Sequence, residues 1–334
     1  MAATAVSQIF LSDHEGDPLP PALASLSASV RQYLPAPQGD YQLYTDARLR
    51  EFLQRHFGPE LLWAYERLRP YAYRADLGRY ALLFQRGGWY FDIGTRLHSP
   101  VQFNPCIELV LFREQLLAGN CSWACQNAVL YARPGHPLFQ KALERLIWNC
   151  RHEHYGANTL CPTGPILLGR ALAQLDPDLN TLVVGESIRL TPTHANKNLA
   201  FVLPDGTIFA FHKPAGSGDL TALGARGTNN YVELWQQRQV YAPAPGPGPT
   251  LRDLPTGKPP HAAAAPADPP GCAGHGRPGA EPAGSAPRRS RRWPTPAPHR
   301  PAPPLTGAPP SPNQAGSAPA PPSTGPRRWW WCRC

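Results

Sequence analysis

The sequence predicts a single α/β domain over residues 1–241 followed by a disordered tail over 242–334. Three observations carry that reading: short apolar runs alternate with helical-period stretches through the first part, prolines crowd into the last part, and charge divides at the same place. Of 43 prolines in 334 residues, 26 lie between Ala242 and Cys334, a segment with three Leu and no Ile, Val, Phe or Met. Such a composition cannot bury enough apolar surface to offset about 1–2 kcal/mol of backbone entropy per ordered residue. The tail holds 11 of the 32 Lys+Arg but only 3 of the 23 Asp+Glu, which leaves 1–241 with 21 basic against 20 acidic side chains. Most of the net charge of +9 is therefore the tail's. A neutral body has no basic stripe to grip phosphates, so no nucleic-acid partner is expected.

Along the body, Ser7–Leu11 reads as a strand and Ala22–Leu34 as an amphipathic helix. Tyr41–Tyr44 reads as a second strand, after which Asp46 stands where an N-cap would, ahead of Leu49, Phe52, Leu53 and His56. Pro59–Arg69 is helical, and Tyr71–Arg86 is the most regular helix, with Leu77, Tyr80, Ala81 and Phe84 as its buried stripe and Gly87-Gly88 as its stop. The apolar run Trp89–Ile93 then reads as a buried strand. Further strands are expected at Ile107–Phe112 and Asn127–Tyr131 and further helices at Pro137–Asn149 and Gly164–Leu175, with Thr163 as the cap of the latter. Phe201–Phe211 encloses Asp205-Gly206, a hairpin signal.

The N-terminal twenty residues lack a basic region followed by an apolar run, and no stretch approaches the length of a membrane helix. Cys106, Cys121, Cys125, Cys150 and Cys161 are odd in number and lack C-x-x-C pairing, which favours reduced thiols. A cytoplasmic protein is expected. Arginine and tryptophan mix at Arg288–Trp293 and Arg327–Cys334, a composition that could tether the chain weakly to the inner face of a membrane, against the blander reading of a solvated tail.

Polar residues in apolar surroundings carry the chemistry. Asp76 and Arg79 are three apart on one helical face at the edge of the core, where they could hold a polar ligand or form a surface ion pair worth a few tenths of a kcal/mol. Asp92 ends an apolar strand, where ligands gather in α/β sheets, and burying it unpaired would cost several kcal/mol. A turn cap at Gly94–Thr95 is its alternative duty. His152-Glu153-His154 looks like a metal cluster on paper, but i and i+2 face apart on a helix, so a solvated helix end is the better reading.

The segments Arg74-Ala-Asp-Leu-Gly-Arg-Tyr-Ala-Leu-Leu-Phe84 and Gly87-Gly-Trp-Tyr-Phe-Asp92 together resemble the sugar-binding region of the "DxD" glycosyltransferases, the group with the family 32 α-mannosyltransferases and many capsule and lipopolysaccharide transferases. Tyr41–Asp46, Gln126–Leu138 and Cys161–Leu172 are similar to other segments of that family, so that the resemblance spans most of residues 5–241. It implies a GT-A fold, a Rossmann-like domain binding a UDP- or GDP-sugar. It also implies retaining transfer of a hexose to a polysaccharide or lipid-linked glycan. By resemblance, Asp76, Arg79 and Asp92 are the catalytic set. Tyr80, Gly87, Gly88 and Asn127 join them around the donor, while Asp92 and His212 hold Mn²⁺ or Mg²⁺. One departure stands out: Asp92-Ile93-Gly94 carries glycine where the second carboxylate belongs. Gly94 keeps open a second expectation, a silent relative that binds without catalysing.

Overall fold

The computed structural model describes residues 5–33, 40–100, 103–115, 121–190, 199–212 and 220–243. The disorder expected for 242–334 concerns residues that, beyond Pro243, lie outside that set. Nine strands form one mixed sheet: β1 (Val6–Ile9), β2 (Tyr41–Tyr44), β3 (Gly88–Phe91), β4 (Thr95–Leu97), β5 (Leu109–Arg113), β6 (Cys125–Ala132), β7 (Leu182–Arg189), β8 (Leu199–Val202) and β9 (Ile208–His212). Their spatial order is β2-β1-β3-β6-β5-β7-β8-β9-β4. Strands β2, β1 and β3 run parallel, as do β5 and β7, and the remaining neighbours pair antiparallel. The α/β expectation is met.

Strand β3 stands third in that order and β4 ninth, yet only Asp92, Ile93 and Gly94 separate them in the chain. Extended chain covers at most about 3.6 Å per residue, so the sheet must curl until its last strand returns to the end of β3. Aromatic rings fill the curl: Trp89 packs on Phe209 at 5.2 Å between centroids, and Phe112 on Phe201 at 5.1 Å.

Helices α1 (Pro21–Gln32), α2 (Asp46–Phe57), α3 (Pro59–Arg67), α4 (Tyr71–Arg86), α5 (Pro137–Arg151), α6 (Pro165–Leu172) and α7 (Tyr231–Gln236) complete the described elements. Four of them open on proline, whose fixed φ and missing N–H suit a first turn. Asp46 is not the cap of α2. Thr45 precedes the helix, while the Asp46 carboxylate takes Arg50 at 2.5 Å and the Tyr65 hydroxyl at 2.7 Å. Nor is α4 a helix with one buried stripe: Tyr73 and every residue from Asp76 to Phe84 are buried, because the helix runs through the middle of the larger core. Its turn at Gly78 brings the Ile9 and Leu49 side chains to where a Cβ would stand.

The glycine pair that ends α4 has a steric reason. Gly87 and Gly88 have φ of 62° and 81°, and a Cβ on Gly88 would stand 2.1 Å from the carbonyl oxygen of Ala5. That carbonyl accepts the Trp89 N–H at 2.8 Å and fastens β3 to the start of β1. Gly88→Ala is therefore expected to cost about 3 kcal/mol or more, since it adds left-handed strain to a backbone clash. Urea denaturation would measure it; a loss under 1 kcal/mol would mean that β1 yields freely.

At the far end of the described chain, Leu68 bridges to Tyr241, whose hydroxyl donates to the carbonyl of His154 at 2.7 Å. Cys121, Cys125, Cys150 and Cys161 are free thiols, whereas Cys106 is disulfide-bonded, against the expectation of five reduced cysteines. Among the described residues no helix is long and apolar enough to cross a membrane.

Candidate functional site

The polar residues singled out by the sequence meet in one cluster between α4, β3, β6 and the start of α6. Arg79 is its hub. One terminal nitrogen of its guanidinium reaches Asp76 Oδ1 at 3.1 Å and Asp92 Oδ1 at 3.2 Å, the other donates to the carbonyl of Asn127 at 2.6 Å, and Nε donates to the carbonyl of Ala75 at 3.2 Å. The Tyr90 ring lies beneath this cation at 4.7 Å, and its hydroxyl donates to Asp92 Oδ1 at 2.9 Å. Asp76 in turn accepts from Asn127 Nδ2 at 2.8 Å and from the Thr163 hydroxyl at 2.6 Å. Tyr80 braces the far side, accepting from Asn127 Nδ2 at 3.2 Å and donating to the Thr163 carbonyl at 2.9 Å.

Exposure divides the cluster. The side chains of Asp76 and Arg79 are 8% and 5% exposed, and that of Asp92 is 23%. The surface ion pair that spacing allowed is thus a buried one, and Asp76 and Arg79 spend their polar atoms on protein partners. Asp92 is the member that meets solvent, at the carboxyl end of β3, with its own N–H fixed to the Ala128 carbonyl at 2.7 Å and its carbonyl to Gln8 Nε2 at 3.3 Å.

Burial drives the Asp76 carboxyl up to about 6, with Arg79, Thr163 and Asn127 pulling it back and the Asp92 charge pushing it further. Burial pulls Arg79 down, but Asp92, Tyr90 and Asp76 hold it above the usual arginine range. A carboxyl raised in the folded state binds more protons there than in the unfolded chain. Its contribution to stability is then complete below about pH 4 and is lost as pH rises toward 6, a difference on the order of 3 kcal/mol. Relative to Asp76→Asn, the wild type is expected to lose stability over that window and to run parallel above it. A flat difference in denaturation midpoints from pH 4 to 7 would contradict this.

Other expectations fare differently. Gly87 and Gly88 are not brought to the cluster; they sit at the opposite end of β3, packed against Pro134 and Ala5. Thr163 does not cap α6, because its hydroxyl is taken by Asp76 and Gly164 precedes the helix instead. Asn127 lies within β6, which begins two residues before the expected strand. His212 ends β9, opposite Thr95 of β4, and its ring meets Phe201 edge-on at 6.1 Å. It stands beside the strand that follows the Asp92 turn. His152 terminates α5 with its ring stacked on Trp148, and among the described residues no group of three or more His, Cys, Asp or Glu could hold a metal. Sequence reasoning missed Tyr90 and Gln8, and gave Thr163 a capping duty rather than its bond to Asp76. Tyr90 had a local signal: it stands two residues before Asp92, on the same side of an extended chain.

Beside the cluster, a cavity of about 210 Å³ opens beyond the carboxyl ends of β1 and β2, with Phe10, Leu19, Leu43, Thr45 and Asp46 among its walls. Ile93 packs in one apolar group with Phe10, Leu19 and Leu43, so Asp92 and this cavity share an edge of the sheet. Open α/β sheets bind their ligands at that edge.

The family model described as "Glycosyltransferase sugar-binding region containing DXD motif" matches residues 22–117. Over that segment the chain is similar to the glycosyltransferase sugar-binding region. The segment holds Asp76, Arg79, Tyr90 and Asp92 together, while Asn127 and Thr163, which brace them, come from the chain beyond it. An uncharacterized glycosyltransferase of Acanthamoeba polyphaga mimivirus is 32% identical over 98 residues, which are 29% of this chain and 38% of that protein. The chain thus spans well under half the length of that curated relative. Among solved structures, the PaToxG glycosyltransferase is similar at a TM-score of 0.40 and 17% identity, over 52% of this chain and 69% of its own.

Proposed function

We propose that this protein is a glycosyltransferase of GT-A type. It moves a hexose from a UDP- or GDP-sugar, with retention, to a polysaccharide or lipid-linked glycan of the kind made by capsule and family 32 enzymes. The observation that carries the reading is Asp92: a carboxylate offered to solvent at the carboxyl end of β3, clamped by Arg79 and Tyr90 within the sugar-binding region. The cavity beyond β1 and β2, linked to the Asp92 turn through Ile93, is where the nucleoside would lie.

A divalent cation fits this donor set in one manner only. With Gly94 in place of a second carboxylate, the protein offers the Asp92 carboxylate, which would suit Mn²⁺ or Mg²⁺ shared with substrate phosphates rather than a cage of side chains. Such an ion would neutralise charge on the departing diphosphate. The chain's own residues hold geometry: Arg79 and Tyr90 fix one Asp92 oxygen, Asp76 and the Asn127 carbonyl fix Arg79, and Thr163 fixes Asp76. By this account Asp76 and Arg79 are positioning residues and Asp92 alone is catalytic. His212, paired with Thr95 just after the Asp92 turn, is a further candidate to assist with the ion.

Gly94 also favours a second reading, a silent relative that retains the domain for binding or assembly. Calorimetric titration of the full chain with UDP- and GDP-sugars, with and without Mn²⁺, separates the two. Metal-dependent uptake of one donor supports transfer and names the sugar. No uptake of any donor by folded protein supports the silent relative.

A further inference from the structure

A second built feature lies away from this cluster, at the carboxyl end of α6. Trp123, Arg145, Arg170, Ala171, Ala173 and Gln174 line a cavity of about 290 Å³, near the lower end of the roughly 300–1,000 Å³ typical of small-molecule sites. Arg170 follows Pro165 by five residues, so the cavity stands about 8 Å along α6 from the helix start that braces Asp76.

Its charges are unbalanced. Among the described residues neither the Arg145 nor the Arg170 side chain makes an ion pair or hydrogen bond, whereas the more deeply buried Arg67 and Arg79 are each bonded to a carboxylate. Arg145 is nevertheless held in place, its guanidinium 4.2 Å above the ring of Trp148, which also stacks with His152. Burial first and the charge of Arg170 second depress the Arg145 pKa, and both arginines add to the burial that depresses His154. Two guanidiniums that sense each other and share no acid give this cavity a positive potential that favours an anion. Their planar forks suit a carboxylate or phosphate better than a point charge would.

The remaining walls are not those of a bare anion site. Trp123 is 49% exposed, among the largest apolar side chains left in solvent. Its backbone is pinned, because its carbonyl oxygen sits where a Cβ on Gly169 would stand, 1.8 Å away. A fixed, exposed indole beside two cations offers a flat apolar surface for the face of a sugar ring, and Gln174 adds an amide that can both donate and accept.

We propose that this cavity binds an acidic saccharide, Arg145 and Arg170 taking its carboxylate or phosphate and Trp123 stacking on its ring. The inference does not depend on glycosyl transfer, because binding alone tests it. The full chain would be titrated with glucuronate, glucose 6-phosphate, glucose and inorganic phosphate, followed by NMR of the indole N–H signals and by calorimetry. At least one of the two acids is expected to bind about tenfold or more tightly than glucose and than phosphate, and the better of the two identifies the acid group. Arg145→Gln and Arg170→Gln should each remove most of that preference, whereas Trp123→Ala should weaken the sugar acid and leave inorganic phosphate unchanged. Arg170 is exposed, so its variant keeps the test open should Arg145→Gln misfold. Binding of both acids no tighter than that of glucose, a folded Arg170→Gln that binds the acids as the wild type does, or no saturation by either acid below about 10 mM would each overturn the proposal.

Discussion

Arg79→Ala is expected to destabilise the protein by about 3–5 kcal/mol, the usual cost of removing one partner from a buried ionic cluster. Two things happen together. The carboxylates of Asp76 and Asp92 lose the cation that lies between them, and the Asn127 and Ala75 carbonyls lose a donor inside the core. Against a total stability of roughly 5–15 kcal/mol for a domain, that is about a fifth of the whole or more. Arg79→Lys should retain part of it, because a single ammonium keeps the charge but cannot span both carboxylates and the Asn127 carbonyl. Adding Asp76→Asn to Arg79→Ala should restore some stability by removing one stranded charge, a coupling that a double-mutant cycle would read. An Arg79→Ala protein within 1 kcal/mol of wild type would mean that the cluster is far wetter than its burial indicates.

The second large effect is on function. Asp92→Asn preserves the shape that Arg79 and Tyr90 grip and removes the charge, so the fold should survive with a loss of about 1–2 kcal/mol. If the proposed reading is right, release of nucleoside diphosphate from the donor should fall by about 100-fold or more, the scale seen when a charge-stabilising group is lost from an active site. Comparing initial rates at saturating donor with those at low donor separates lost binding from lost turnover. Wild-type rates in the folded Asp92→Asn protein would remove Asp92 from the chemistry.

Much of the architecture was legible because local signals agreed. Strand β2 and helix α4 fall at their expected bounds, α4 because Pro70 and Gly87 punctuate it, and Gly206 marks the β8–β9 turn with its φ of 87°. Strand β7 was missed for a reason that no local window contains. Gly185 breaks its apolar run, yet Gly185 faces Phe112 across the sheet, and a Cβ there would come within 2.5 Å of that ring. Strand β4, three residues long, gave no periodicity to read. Helix α7 was also passed over, although Asn230 caps it by accepting from the Val232 N–H. In the cluster, Asp76, Arg79 and Asp92 stood out as charges among apolar neighbours. What they touch did not, since Thr163 and Asn127 reach Asp76 from 87 and 51 positions away.

The curl of the sheet bears on how the chain assembles. Strands β1 and β3 and the Ala128 carbonyl of β6 fix one flank of the Asp92 turn, whereas the strand that follows it, held from α1 by Ser29 accepting the Leu97 N–H, gains its strand partner only when Thr95–Leu97 finds Ala210–His212 far along the chain. Such distant closures carry a high entropic cost and come slowly. A nascent or partly folded chain can therefore hold Asp92 against Arg79 and still lack the completed turn, so that ligand competence arrives with the last strand to dock.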